Sequence, residues 1–127
     1  MKLASIDVGL KRIGVAICLA SNIVTPQNAI LRKNRDQAAR DVNAFLKEWE
    51  IDKLIVGFPS SSEDTQNRIK HFVGLLELKI PFEFQEENMS SIEAEEMMKG
   101  EIKYKRDGRV DSLAAKIILE RFLAKKP

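Results

Sequence analysis

Short apolar runs broken by turn residues dominate the first quarter of the chain. Leu3, Ala4 and Ile6 form one run; Ile13, Val15, Ala16, Ile17, Cys18 and Leu19 form a second. Runs of this length between turn signals predict strands. Asp7-Val8-Gly9-Leu10-Lys11-Arg12 joins them as a tight hairpin, with Gly9 expected in a backbone conformation closed to most residues. Ala20-Ser21-Asn22 reads as a turn, and Ile23, Val24, Ala29, Ile30 and Leu31 predict a third strand. Pro26 within it favours an edge position or a bulge. The opening is therefore a three-strand antiparallel meander.

Apolar residues then recur at helical spacing. Asn34 can cap a helix running to about Glu50, with Ala38, Val42, Phe45, Leu46 and Trp49 on one face. Lys53-Leu54-Ile55-Val56-Gly57 is a short apolar run that suits a buried parallel strand. The loop Phe58–Ser62 follows. Ser62 or Asp64 can cap a second helix to about Leu78, buried through Ile69, Phe72, Val73 and Leu76. Pro81–Gln85 alternates as a strand. Ser90 with Glu93 fits a capping box opening a short helix to about Met98. Lys99–Arg109 reads as an exposed basic loop, and a last helix spans about Val110 to Ala124, with Leu113, Ala114, Ile117, Ile118 and Phe122 inward. Strands alternating with helices after a meander predict an α/β layered fold on a mixed sheet of five strands. Right-handed crossovers place the ends of the strands at Val56 and Gln85 along one edge, beside the end of the first strand. Ligands of open α/β sheets favour that edge.

Composition narrows the chemistry. The 127 residues fit one domain, 1–127, and a net charge of +2 makes any basic patch a local one. No run approaches a membrane span and no signal-peptide pattern opens the chain, so a cytoplasmic protein without a membrane partner is expected. A single cysteine and a single histidine rule out thiolate cages and histidine-rich metal sites. Any metal here takes oxygen ligands, which points to Mg²⁺ or Mn²⁺.

Asp7 is the anomaly in the pattern, since a carboxylate ending an apolar strand needs a partner. It can cap its own turn through the amides of Gly9 or Leu10, or it can hold a metal or a phosphate-bearing substrate. Glu87 after the fifth strand can be a solvated loop residue, and Asp111 can simply favour a helix N-terminus. The topology brings all three toward one edge, where three carboxylates repel unless a cation neutralises them. Two such cations about 3.5–4 Å apart can activate water for phosphodiester hydrolysis. Lys11, Arg12, Lys103, Lys105, Arg106 and Arg109 would then hold a nucleic-acid backbone, adding affinity rather than sequence choice.

Asp7-Val-Gly-Leu-Lys11-Arg12-Ile-Gly14-Val-Ala16, Ile55-Val-Gly57-Phe-Pro59, Glu86-Glu87-Asn88-Met-Ser90-Ser91-Ile-Glu93-Ala94 and Asp111-Ser-Leu-Ala114-Ala115, in that order, resemble the YqgF/RuvX family. The resemblance implies a ribonuclease H-like fold related to Holliday-junction resolvases. It also implies a cytoplasmic, metal-dependent nuclease maturing the 5′ end of pre-16S ribosomal RNA, with Asp7, Glu87 and Asp111 on the acidic positions. The chain departs from the family in having Asn88 where an Arg is usual, which removes a charged fork. Its loop after Pro59 is also short, and Glu63 or Asp64 there could replace Glu87 as a ligand. Two rivals stand beside this reading. One is a non-catalytic RNA- or ribosome-binding factor with the same fold. The other is an actin-like ATP-binding domain, whose phosphate loop also uses Asp-x-Gly but which needs two lobes. A four-way DNA junction is the alternative substrate, and either a monomer or a homodimer fits.

Overall fold

Five strands lie in the order β3-β2-β1-β4-β5. They are β1 (Leu3–Val8), β2 (Arg12–Cys18), β3 (Thr25–Leu31), β4 (Lys53–Phe58) and β5 (Phe82–Glu86). The computed structural model describes residues 1–60, 62–86 and 109–125, the last without the side chains of 109–111. The helix expected at 90–98 and the basic loop therefore lie outside the described residues, as do Glu87, Lys103, Lys105 and Arg106. β1 to β3 form the antiparallel meander, and β4 and β5 add in parallel to β1.

Three described helices cover the sheet: α1 (Arg35–Glu48), α2 (Glu63–Leu76) and α3 (Arg109–Lys125). α1 starts where Asn34 and Gln37 complete a capping box, with Asn34 Oδ1 accepting from the Gln37 amide at 2.7 Å. Ser62, rather than Asp64, caps α2, its hydroxyl accepting from the Thr65 amide at 3.3 Å. Strand alternation splits the core in two. Ala4, Ile6, Ile13, Val15, Leu54 and Val56 pack under Ala38, Val42, Leu46, Ile69, Phe72 and Leu76 of α1 and α2. Leu3, Ala16, Cys18 and Ile55 pack on the opposite face, under Ala115, Ile118, Leu119 and Phe122 of α3.

The edge expectation for β3 holds, since Pro26 pairs only with β2, and the sheet ends there. The strand limits around the second turn differ from expectation. β2 stops at Cys18, and β3 starts at Thr25, leaving Ile23 68% exposed. Ser21 and Asn22 both adopt φ of 58°, and the Ile23 amide bonds back to Ala20 O at 3.3 Å. Ile23 is thus held in the turn, and its hydrophobicity misled the strand pattern.

Gly9 also departs from expectation, because its φ lies outside the left-handed region. The demand is for space. A Cβ there would sit 2.5 Å from the carbonyl oxygen of Arg12, which accepts the Gly9 amide at 3.0 Å.

Candidate functional site at the ends of the parallel strands

β1, β4 and β5 run in parallel, so their C-terminal ends share one edge of the sheet. Asp7 stands there, half-buried, one residue before the end of β1. It belongs to the strand and pairs with Gly14 of β2. The Gly9 amide donates to Arg12 O at 3.0 Å.

Alternation puts Asp7 on the α3 face together with Leu3 and Ser5. Two polar contacts pin α3 onto this face. The Ser5 hydroxyl donates to Ala115 O at 2.6 Å, and the Val15 amide donates to the Ser112 hydroxyl at 3.2 Å. The second falls where β2 and β3 change register between Ile13 and Val15, beside Gly14. Ser112, Ala114 and Ala115 are small and buried, which lets the helix approach the strands closely. Asp111 directly precedes Ser112 in the first turn of α3. The helix is therefore anchored one residue from Asp111, to a strand residue one step from the partner of Asp7.

The other expected residues sort by this frame. Arg12 occupies the same face of β2 as Gly14, two positions earlier, and Lys11 is exposed at the hairpin tip. Glu86, at the end of β5, is on the opposite parity from Gln85. Glu63 and Asp64 are exposed in the first turn of α2, in the layer opposite α3. Among the described residues no three His, Cys, Asp or Glu side chains gather as a ligand set. The side chains of Asp111 and Arg109, and all of Glu87, lie outside the description.

Two residues were missed from the sequence. Gln85 is only 6% exposed, aligned with Gly57 and on the face of Asp7, and its Oε1 has no hydrogen-bond partner among the described residues. Arg32 locks the hairpin. Its amide donates to Lys11 O at 2.9 Å and its Nη1 to Gly9 O at 2.8 Å, while its guanidinium lies 5.6 Å above the Phe72 ring. Burial, then the charges of Arg35 and Arg68, hold its pKa below the usual arginine range. A single Arg after a strand carries no such signal in sequence.

A meander extended by two parallel strands, with an Asp near the end of the central strand and a C-terminal helix across that face, is a ribonuclease H-like α/β fold. The fowlpox virus resolvase, solved with Holliday junction DNA, is similar over 98% of this chain and 100% of its own, with TM-score 0.57 and 18% identity. Thermus thermophilus RuvC in complex with a Holliday junction substrate is similar over 98% and 95%, with TM-score 0.52 and 17% identity. The chain belongs to the RuvX family, described as Holliday junction resolvase, whose model matches residues 1–125. A relative from Sulfurovum sp. (strain NBC37-1), named "Putative pre-16S rRNA nuclease", is 65% identical over 127 residues, covering 98% of this chain and 99% of that protein.

Proposed function

We propose that this protein is a cytoplasmic nuclease that hydrolyses phosphodiester bonds with Mg²⁺ or Mn²⁺, and that it matures the 5′ end of pre-16S ribosomal RNA. The family and the name of the Sulfurovum relative support the activity and the substrate. The observation that carries the reading is the double pin of α3, which sets the turn bearing Asp111 beside the strand bearing Asp7. Asp7, Glu87 and Asp111 would hold the cation. The donor chemistry fits a hard ion, because Cys18 is buried in the core and His71 is exposed on α2. When bound, the metal supplies an activated water and charge stabilisation for the leaving oxygen.

The side chains of the protein itself do the positioning. The backbone of Asp7 is held by its pairing with Gly14, just past the last residue that β1 pairs with β4. Lys11 and Arg12, with Lys103, Lys105, Arg106 and Arg109, would hold phosphates and set affinity. The chain would work as a monomer or a homodimer. No helix among the described residues is long and apolar enough to cross a membrane.

The test is cleavage of labelled precursor ribosomal RNA and of a four-way DNA junction with Mg²⁺ or Mn²⁺, comparing wild type with Asp7→Asn. RNA cleavage lost in the folded variant supports the proposal. Cleavage of the junction alone moves the substrate to branched DNA. Equal cleavage by both proteins, or none by wild type with RNA still bound, replaces the nuclease by a binding factor.

A further inference from the structure

We propose that Arg35 and Arg68, braced by Arg32, form a second phosphate-binding site that holds a nucleic-acid backbone on the α1/α2 side of the β1–β2 hairpin. The inference rests on the nuclease reading and extends its substrate path to the face of the sheet opposite α3. It concerns none of the basic residues expected from the sequence.

The cluster is built from three elements that meet at the edge carrying Asp7. β3 ends at Leu31, which pairs with Arg12 beside the hairpin, and α1 begins at Arg35. α2 begins after β4, at the same edge, and carries Arg68 in its second turn. Arg32 stands between them, held by two bonds to hairpin carbonyls and by the Phe72 ring of α2. Arg68 is oriented by an Nη2 bond to Thr65 Oγ1 at 3.2 Å, and Thr65 is itself bonded to the capping Ser62. Arg35 is exposed at the start of α1.

Like charges brought together raise the free energy of the fold unless an anion offsets them. Among the described residues no carboxylate forms an ion pair with Arg32, Arg35 or Arg68, although Asp36, Glu63 and Asp64 lie in the first turns of the same helices. Arg32 lies within reach of both neighbours: burial first, then the charges of Arg35 and of Arg68, disfavour its charged form. Guanidinium groups match phosphate oxygens through paired donors. The cluster spans two helices on an open surface, which suits successive phosphates of a chain better than one enclosed nucleotide.

The test measures binding in EDTA, where no cleavage occurs, of a labelled single-stranded RNA long enough to cross the hairpin. Wild type, Arg35→Ala/Arg68→Ala and Arg35→Lys/Arg68→Lys are titrated at several salt concentrations. Each phosphate contact on a single strand adds about 0.7 to the slope of log K against log salt. The double alanine variant should lose about 1.4 from that slope at a melting temperature no lower than that of wild type, and the lysine variant should keep the slope. Parallel salt lines for wild type and the alanine variant overturn this site while leaving the nuclease reading in place. Wild type that binds no RNA overturns this site, and precursor cleavage by wild type in Mg²⁺ then decides the nuclease reading separately.

Discussion

Replacing glycine by alanine should shift stability in opposite directions at Gly9 and Gly74. At Gly9 the new Cβ would sit 2.5 Å from Arg12 O, 3.7 Å from its carbonyl carbon and 3.9 Å from its nitrogen. Carbon atoms pack comfortably at about 3.5–4.0 Å, so the intrusion on the oxygen is about 1 Å. The obstacle is backbone, which cannot swing aside as a side chain can. It also accepts the Gly9 amide at 3.0 Å, so relief by movement stretches that bond. Overpacking of this kind costs about 1–3 kcal/mol. Alanine recovers about 0.4–1 kcal/mol by restricting the unfolded chain. Mid-range values leave a net loss of about 1.3 kcal/mol.

At Gly74 a Cβ meets nothing within 4 Å, and the residue lies within α2. Alanine there should add about 0.5–1 kcal/mol. An unfolding entropy of about 2.1 cal/mol/K per residue makes each kcal/mol worth about 4 °C for a chain of this length. Gly9→Ala should therefore melt about 5 °C below wild type and Gly74→Ala about 2–4 °C above it. Calorimetry checks the shifts, and urea titration checks that the m-value is unchanged. A Gly9→Ala protein as stable as wild type would refute the close-approach argument for the hairpin.

Ser112→Ala removes the acceptor of the buried Val15 amide and should cost about 1–3 kcal/mol in urea unfolding. Ser5→Ala should cost less, about 0.5–1.5 kcal/mol, because Ala115 O lies inside α3 and keeps its helical bond; the reverse order would contradict the pinning role given to Ser112. Mg²⁺ at ten times its Kd should stabilise wild type by about 1.4 kcal/mol, and the same thermal titration of Asp7→Asn should show no stabilisation. An equal rise in both proteins would remove Asp7 from the ligand set. Asn34→Ala should lose about 1 kcal/mol through the capping box, read from the urea midpoint.

The local elements were legible wherever one residue pattern had one cause. Continuous apolar runs marked β1, β2 and β4, because both faces of these strands are buried, and period-3.6 stripes marked the buried faces of α1 and α2, because a helix buries one side. Pro26 marked the edge strand because it lacks the amide a central strand would need. Isolated apolar residues were less reliable. Ile23 looked like strand but was held in a turn by two left-handed residues before it. For the site, Asp7 stood out as a carboxylate in an apolar run, and the order of strands foretold its edge.

What the sequence determined by itself was therefore the list of elements, their faces and the sheet edge where Asp7 lies, since each follows from neighbours a few positions apart. The tertiary structure alone decided which atoms hold that edge in place. Ser5 reaches Ala115 across 110 residues and Ser112 reaches Val15 across 97. Arg32 closes on Gly9 across 23 residues and faces Phe72 of α2. Gln85 is buried, with an oxygen unpartnered among the described residues, only because the sheet aligns it with Gly57. Such contacts have no period along the chain. They exist because packing helices on both faces of one sheet brings side chains within hydrogen-bond reach of backbone groups far away in sequence, where buried donors and acceptors are costly to leave alone.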